Sequence, residues 1–130
     1  MAGIFRQVVW FVVVGCAAAA THWLVAVGCV AFWSLSPLLA NVVGWQIAFV
    51  VSFSGHYRLT FRHQRKSLAF ACRRFFLVSA IGFVINEMSY AWLLHATEIP
   101  YDLLLAVILV VIAALTFVLS RFWAFRDRSL

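Results

Sequence analysis

The chain has 130 residues, of which 66% are hydrophobic and 11% charged, with ten Lys and Arg against four Asp and Glu for a net charge of +6. A soluble domain carries about 45–50% apolar and about 25% charged residues, and a chain this short has too little interior to hide such an excess. That excludes a soluble fold; with the basic residues clumped between apolar runs, it also turns the positive charge away from nucleic acid and toward the anionic face of a bilayer.

Four apolar segments follow one another, each near the roughly 20 residues that cross a hydrocarbon core. The first runs from about Val8 to Val30. Its "VVVGC" resembles a lipoprotein processing site and its "AAAA" a signal-peptidase site, but the apolar run continues past both, so the span is expected to be retained. The second runs from about Pro37 to Ser54, with Pro37 suited to the first turn of a helix. The third covers Phe75 to about Leu94, and the fourth about Tyr101 to Phe122. Backbone groups in lipid find no water, which requires helices. The expected fold is an all-α integral membrane four-helix bundle in a single transmembrane domain.

All ten basic residues flank these spans on one side: Arg6 before the first, Arg58, Arg62, Arg65, Lys66, Arg73 and Arg74 between the second and third, and Arg121, Arg126 and Arg128 at the end. The other side has two short turns without Lys or Arg. The positive-inside rule then predicts a multi-pass protein of the cytoplasmic membrane with both termini in the cytoplasm. Cys16, Cys29 and Cys72 have no framework spacing, so neither a disulfide nor a metal site is expected.

The chain reads as one hairpin used twice. "VVWFVVVG" aligns with "FFLVSAIG" when Gly15 is set on Gly82, and "VSFSGHYRLTFR" with "LTFVLSRFWAFR" when Phe61 is set on Phe125. The repeats cover about 5–62 and 70–126 and enter the membrane in the same direction. Parallel repeats relate by an axis along the membrane normal and lack the inverted half of many transporters. A homo-oligomer or a partner is therefore expected.

The combination resembles the GtrA-like family of small four-span membrane proteins. The resemblance rests on "VVVG" in span one, "LLANVVGWQIAFVVSFSGHYRLTF" across span two, "RRFFLVSAIGFVINE" in span three and "FVLSRFWAF" closing span four. The family ending Asn-Arg-x-Trp-x-Phe has His56, Tyr57 and Leu59 as departures in its first copy. The second copy has Ser120 for Asn and keeps Arg121, Trp123 and Phe125. The resemblance implies work on cell-surface polysaccharides or glycolipids, either moving polyprenyl-phosphate-linked sugars (undecaprenyl phosphate among them) as a flippase or assisting the glycosyltransferase that makes them. It carries no catalytic motif.

Titratable groups at membrane depth are expensive and mark candidate sites. Glu87 lies about 18 Å along its helix from Phe75, and His22 about 21 Å from Val8. Both spans start from the same side, so the two lie at similar depth and can pair, directly or through Asn86, Thr21 and Ser89. Such a site would hold a sugar hydroxyl or a phosphate or exchange a proton; the plainer reading is a buried Glu–His or Glu–Asn bond that pins spans one and three together. Asn41, Gln46 and Thr116 read as helix-packing hydrogen bonds, and "GCAAAA" and Gly82 to Asn86 as small-residue surfaces for close helix contact. At the cytoplasmic ends Arg58, Arg73, Arg74 and Arg121 are candidates for a lipid phosphate, since the guanidinium fork binds two phosphate oxygens. His56 adds a donor there when protonated. Arg62, Arg65 and Lys66 read equally as general attraction to anionic lipid.

No paired carboxylates, metal-ligand cluster or nucleophile–base pair is present in the sequence, so neither an enzyme nor a cofactor is expected. The favoured function is a component translocating a polyprenyl-phosphate-linked sugar. The alternative is a membrane anchor or regulator of a polyprenyl-phosphate glycosyltransferase. A small multidrug exporter fits less well, because that class places its Glu in the first span, where this chain has His22.

Overall fold

A computed structural model describes residues 2–60 and 67–126, with side chains described as far as Thr116. Four helices make up the fold: α1 Ala2–Trp33, α2 Pro37–Gly55, α3 Leu68–Ala96 and α4 Tyr101–Arg126. A single π-helical turn, His56–Thr60, extends α2. The protein is an all-α bundle, and α1, α2 with its π-helical turn, and α3 are each long and apolar enough to cross a membrane. In α4 the stretch Tyr101–Thr116 is apolar.

The helices run past the apolar spans at the end that holds both termini. α1 has 32 residues, about 48 Å against a hydrocarbon core of about 30 Å. Arg6 therefore lies on α1, and Arg73 and Arg74 lie on α3 rather than in the connection before it. The end of an apolar run marks where lipid stops; the backbone hydrogen bonds carry the helix further. Two sides of the bundle follow: a basic end, with Arg6, Arg58, Arg73 and Arg74, and a turn end with the two short connections.

Both connections are held by local chemistry. Ser34 takes a positive φ of 54°, and the Leu35 amide closes on the Cys29 carbonyl at 3.2 Å. Ser36 then caps α2 by accepting from the Leu39 amide, with Pro37 at the first helical position as its fixed φ favours. Across the bundle Thr97 ends α3, its amide and hydroxyl both donating to the Leu93 carbonyl. Asp102 in the first turn of α4 accepts from the Leu103 amide, where its charge suits the helix dipole.

α2 lies between α1 and α3, and α4 closes the ring by packing on α3 and α1. The core sits toward the turn end, where Ala26, Cys29, Ala40, Tyr90, Leu104, Leu105 and Ile108 are buried together. Two polar side chains stitch it, Trp23 Nε1 donating to the Asp102 carbonyl at 2.9 Å and the Tyr90 hydroxyl to the Tyr101 carbonyl at 3.2 Å, and in the middle of α2 Trp45 Nε1 donates to Ser79 Oγ at 2.8 Å. Toward the basic end an aromatic layer joins α2 to α3. Trp45 stacks on Phe83 with centroids 4.6 Å apart, and Phe49 and Phe53 pack against Phe75. On α4 the last four described side chains, Ala113–Thr116, are exposed. Four successive residues point to every side of a helix, so α4 parts from the bundle there.

The close helix contacts differ from those expected. A Cβ on Gly15 or Gly82 would meet nothing within 4 Å, so neither glycine serves a tight crossing. On Gly44 it would fall 2.7 Å from the His22 carbonyl oxygen, and on Gly55 2.6 Å from Val14 Cγ1. α1 and α2 thus approach backbone to side chain along the face carrying Val14, Ala18, His22, Ala26 and Cys29. Gln46 and Thr116 are exposed and tie no helices together.

Candidate functional site

Three helices bring their polar residues to one level. His22 faces α2 from the fourth-residue stripe Val14, Ala18, His22, Ala26. Asn41 faces α1 and α3 from the first turns of α2, beside Ala40 and Gly44. Asn86 and Glu87 lie on the side of α3 that also carries Ser79, Phe83 and Tyr90 at helical spacing. Gly44 makes the arrangement possible, because any side chain there would push α2 away from His22.

His22 Nε2 lies 2.6 Å from Asn41 Oδ1, and Asn41 Nδ2 donates to Asn86 Oδ1 at 2.8 Å. The Asn41 oxygen can only accept, so His22 presents its proton on Nε2. Hydrogen bonds thus run one way, from α1 through α2 to α3, and Asn41 at their centre is wholly buried. Glu87 follows Asn86 in the chain. Oε1 of Glu87 is buried and has no hydrogen-bond partner, which makes it the one such side-chain atom among the described residues.

His22 and Glu87 do share a level, but their pairing is indirect. Asn41 stands between them, and it bonds Asn86 rather than leaving that residue to join the two. Thr21 takes no part in these bonds, because its hydroxyl turns back to the Ala17 carbonyl of its own helix at 2.7 Å. Ser89 is half-buried and makes none of these bonds. Asn41, expected to make a helix-packing hydrogen bond, makes two, one to α1 and one to α3, and so is the hub. The sequence offers no signal that sets it above Gln46, the second amide of the same span.

At the basic end Arg58, Arg73 and Arg74 are exposed. The Arg74 guanidinium sits 5.6 Å from the centroid of the Phe70 ring, where cation–π attraction holds it. His56 is buried rather than presented at the surface. Its ring lies 5.0 Å from Phe11 and 5.7 Å from Phe75 between centroids, and its Nδ1 is 3.0 Å from Thr60 Oγ1. The π-helical turn carries this pair, with Arg58 pointing outward between them. Arg121, Arg62, Arg65 and Lys66 lie outside the described residues and side chains.

A family described as GtrA/DPMS, transmembrane domain, matches residues 10–125. The chain belongs to that family. No curated protein and no solved structure matches it. The GtrA/DPMS match reaches into all four helices and includes His22, Asn41, Asn86 and Glu87, so the protein is a multi-pass membrane protein with a GtrA-type domain. Membership points to a role in processes that use polyprenyl-phosphate-linked sugars.

Proposed function

We propose that the protein is a component that moves a polyprenyl-phosphate-linked sugar across the cytoplasmic membrane for the synthesis of cell-surface polysaccharide or glycolipid. The observation that carries this reading is the polar chain His22–Asn41–Asn86 with Glu87 at its end, at a depth where lipid supplies no partner. Interhelical hydrogen bonds in membranes average only about 0.6 kcal/mol. Helix cohesion alone is therefore a weak reason to bury a carboxyl, and weaker still when one of its oxygens bonds nothing.

The basic end complements that interior. With both termini cytoplasmic by the positive-inside rule, Arg58, Arg73, Arg74 and Arg121 meet the phosphate of a lipid carrier on the side where sugars are attached. Anionic lipids gather at the same surface. His56, in its aromatic pocket, acts on that end by fixing the turn that carries Arg58. The protein works without a catalytic step of its own. Parallel repeats give one chain no opposed half, so further copies, or a membrane-associated glycosyltransferase, complete the path.

The test is transbilayer movement of a fluorescent undecaprenyl-phosphate sugar in sealed vesicles containing the purified chain. Wild type is expected to accelerate movement, and Glu87→Gln and Arg121→Ala to slow it by about tenfold, equivalent to about 1.4 kcal/mol of barrier. Folded, inserted wild type that moves no lipid would contradict the proposal and leave the protein as an anchor or regulator of the glycosyltransferase.

A further inference from the structure

Resting on the translocation reading, we infer that Glu87 Oε1 is the acceptor for a hydroxyl of the sugar headgroup, so that the sugar leads into the bundle and the phosphate trails toward the basic end. The hydrogen-bond inventory of the polar level gives the first reason. His22 and Asn41 satisfy each other, and Asn41 donates to Asn86, whereas Glu87 Oε1 is buried with no donor. A buried acceptor left unpaired is costly, and a ligand donor relieves it.

The chemistry of that atom selects which part of the lipid it takes. A carboxylate accepts hydrogen bonds and donates none. A sugar offers several O–H donors, and an O–H to a carboxylate is charge-assisted. A phosphate diester offers only acceptor oxygens and so brings no donor to Glu87 Oε1. The two ends of the headgroup are thereby sorted: hydroxyls to Glu87, phosphate to arginine.

Spacing makes these contacts successive rather than simultaneous. Arg74 and Glu87 are both on α3, 13 residues apart, which is about 20 Å along the axis. One hexose with its phosphate is shorter than that. The phosphate therefore leaves the arginines as the sugar reaches Glu87, and it trails on their side because a charge is cheapest near the surface.

The way α4 is set agrees with an approach from the basic end. Glu87 is nine residues from the turn-end limit of α3, and Ala113 is 12 residues from the turn-end start of α4. α4 thus parts from the bundle just on the basic-end side of the Glu87 level. The packed core of Tyr90, Leu104, Leu105 and Ile108 lies beyond that level, toward the turn end.

Binding by the full chain in nanodiscs separates the two halves of the headgroup. The probes are radiolabelled undecaprenyl phosphate, and the same lipid carrying glucose, mannose or N-acetylglucosamine. Wild type should bind at least one sugar-bearing lipid about tenfold more tightly than the bare phosphate. Glu87→Ala should erase that advantage and leave binding of the bare phosphate unchanged. Should Glu87→Ala fail to insert, Glu87→Gln decides, with an expected drop of about threefold in the advantage, since a neutral amide oxygen is the weaker acceptor. An advantage that survives the substitution, or an equal loss for all lipids, overturns the inference. Equal binding of every probe, with transbilayer movement intact, overturns it alone. Wild type that binds none of them overturns the translocation reading as well.

Discussion

α1 and α2 meet through glycines that leave no room for a Cβ, whereas α3 and α4 meet through larger side chains. In the first hairpin Gly44 leaves no room for a Cβ beside His22, and Gly55 none beside Val14. In the second hairpin Gly82 faces open space, and the helices are tied at the turn end by Tyr90, Leu104, Leu105 and Ile108 before α4 parts from the bundle. Two hairpins of related sequence thus have different mechanical characters. The first is a fixed wall that holds His22 and Asn41; the second carries Asn86 and Glu87 on a helix whose partner is anchored at one end.

The largest break in this comparison is Gly44→Ala. The added methyl meets the His22 carbonyl, which belongs to a helix backbone and cannot turn aside, so a loss of about 3 kcal/mol is expected. A lowered thermal midpoint in detergent, with loss of the α1–α2 contact, would be the readout. Asn41→Ala comes next. It leaves His22 and Asn86 without their shared partner, for an expected loss of about 1–2 kcal/mol by the same melt. Tyr90→Phe removes only the bond to the Tyr101 carbonyl, and about 0.6 kcal/mol is expected. Smallest is Gly82→Ala, which meets nothing and should shift stability by less than about 1 kcal/mol, toward the stable side, because alanine favours the helix. Equal effects for Gly44→Ala and Gly82→Ala would remove the distinction between the hairpins.

Much of this could be read before the structure. Apolar length gave four helices, the basic clumps gave their shared end, and a count of residues put His22 and Glu87 at one level. What stayed hidden was rotation about each helix axis. A helix apolar on all sides has no polar stripe to show which face turns inward, so the small-residue runs at Gly15 and Gly82 suggested the close crossings that Gly44 and Gly55 make, and Asn41 looked no more central than Gln46. Asn41 is buried and Gln46 exposed, a half-turn of difference that hydropathy does not record. His56 misled for a related reason. Its position in a basic segment implied a surface donor, but Phe11 and Phe75, from two other helices, close over its ring. Contacts made by residues distant in the chain leave no local signature.

The most direct measurement is the rate of transbilayer movement of a fluorescent undecaprenyl-phosphate sugar for Asn41→Ala against Tyr90→Phe, each normalised to inserted, folded protein. Both variants lose buried hydrogen bonding, but only Asn41 belongs to the chain from His22 to Glu87. A fall of about tenfold for Asn41→Ala, with Tyr90→Phe close to wild type, is the predicted result. Equal rates in the two variants would contradict the claim that the polar chain is the path of the headgroup.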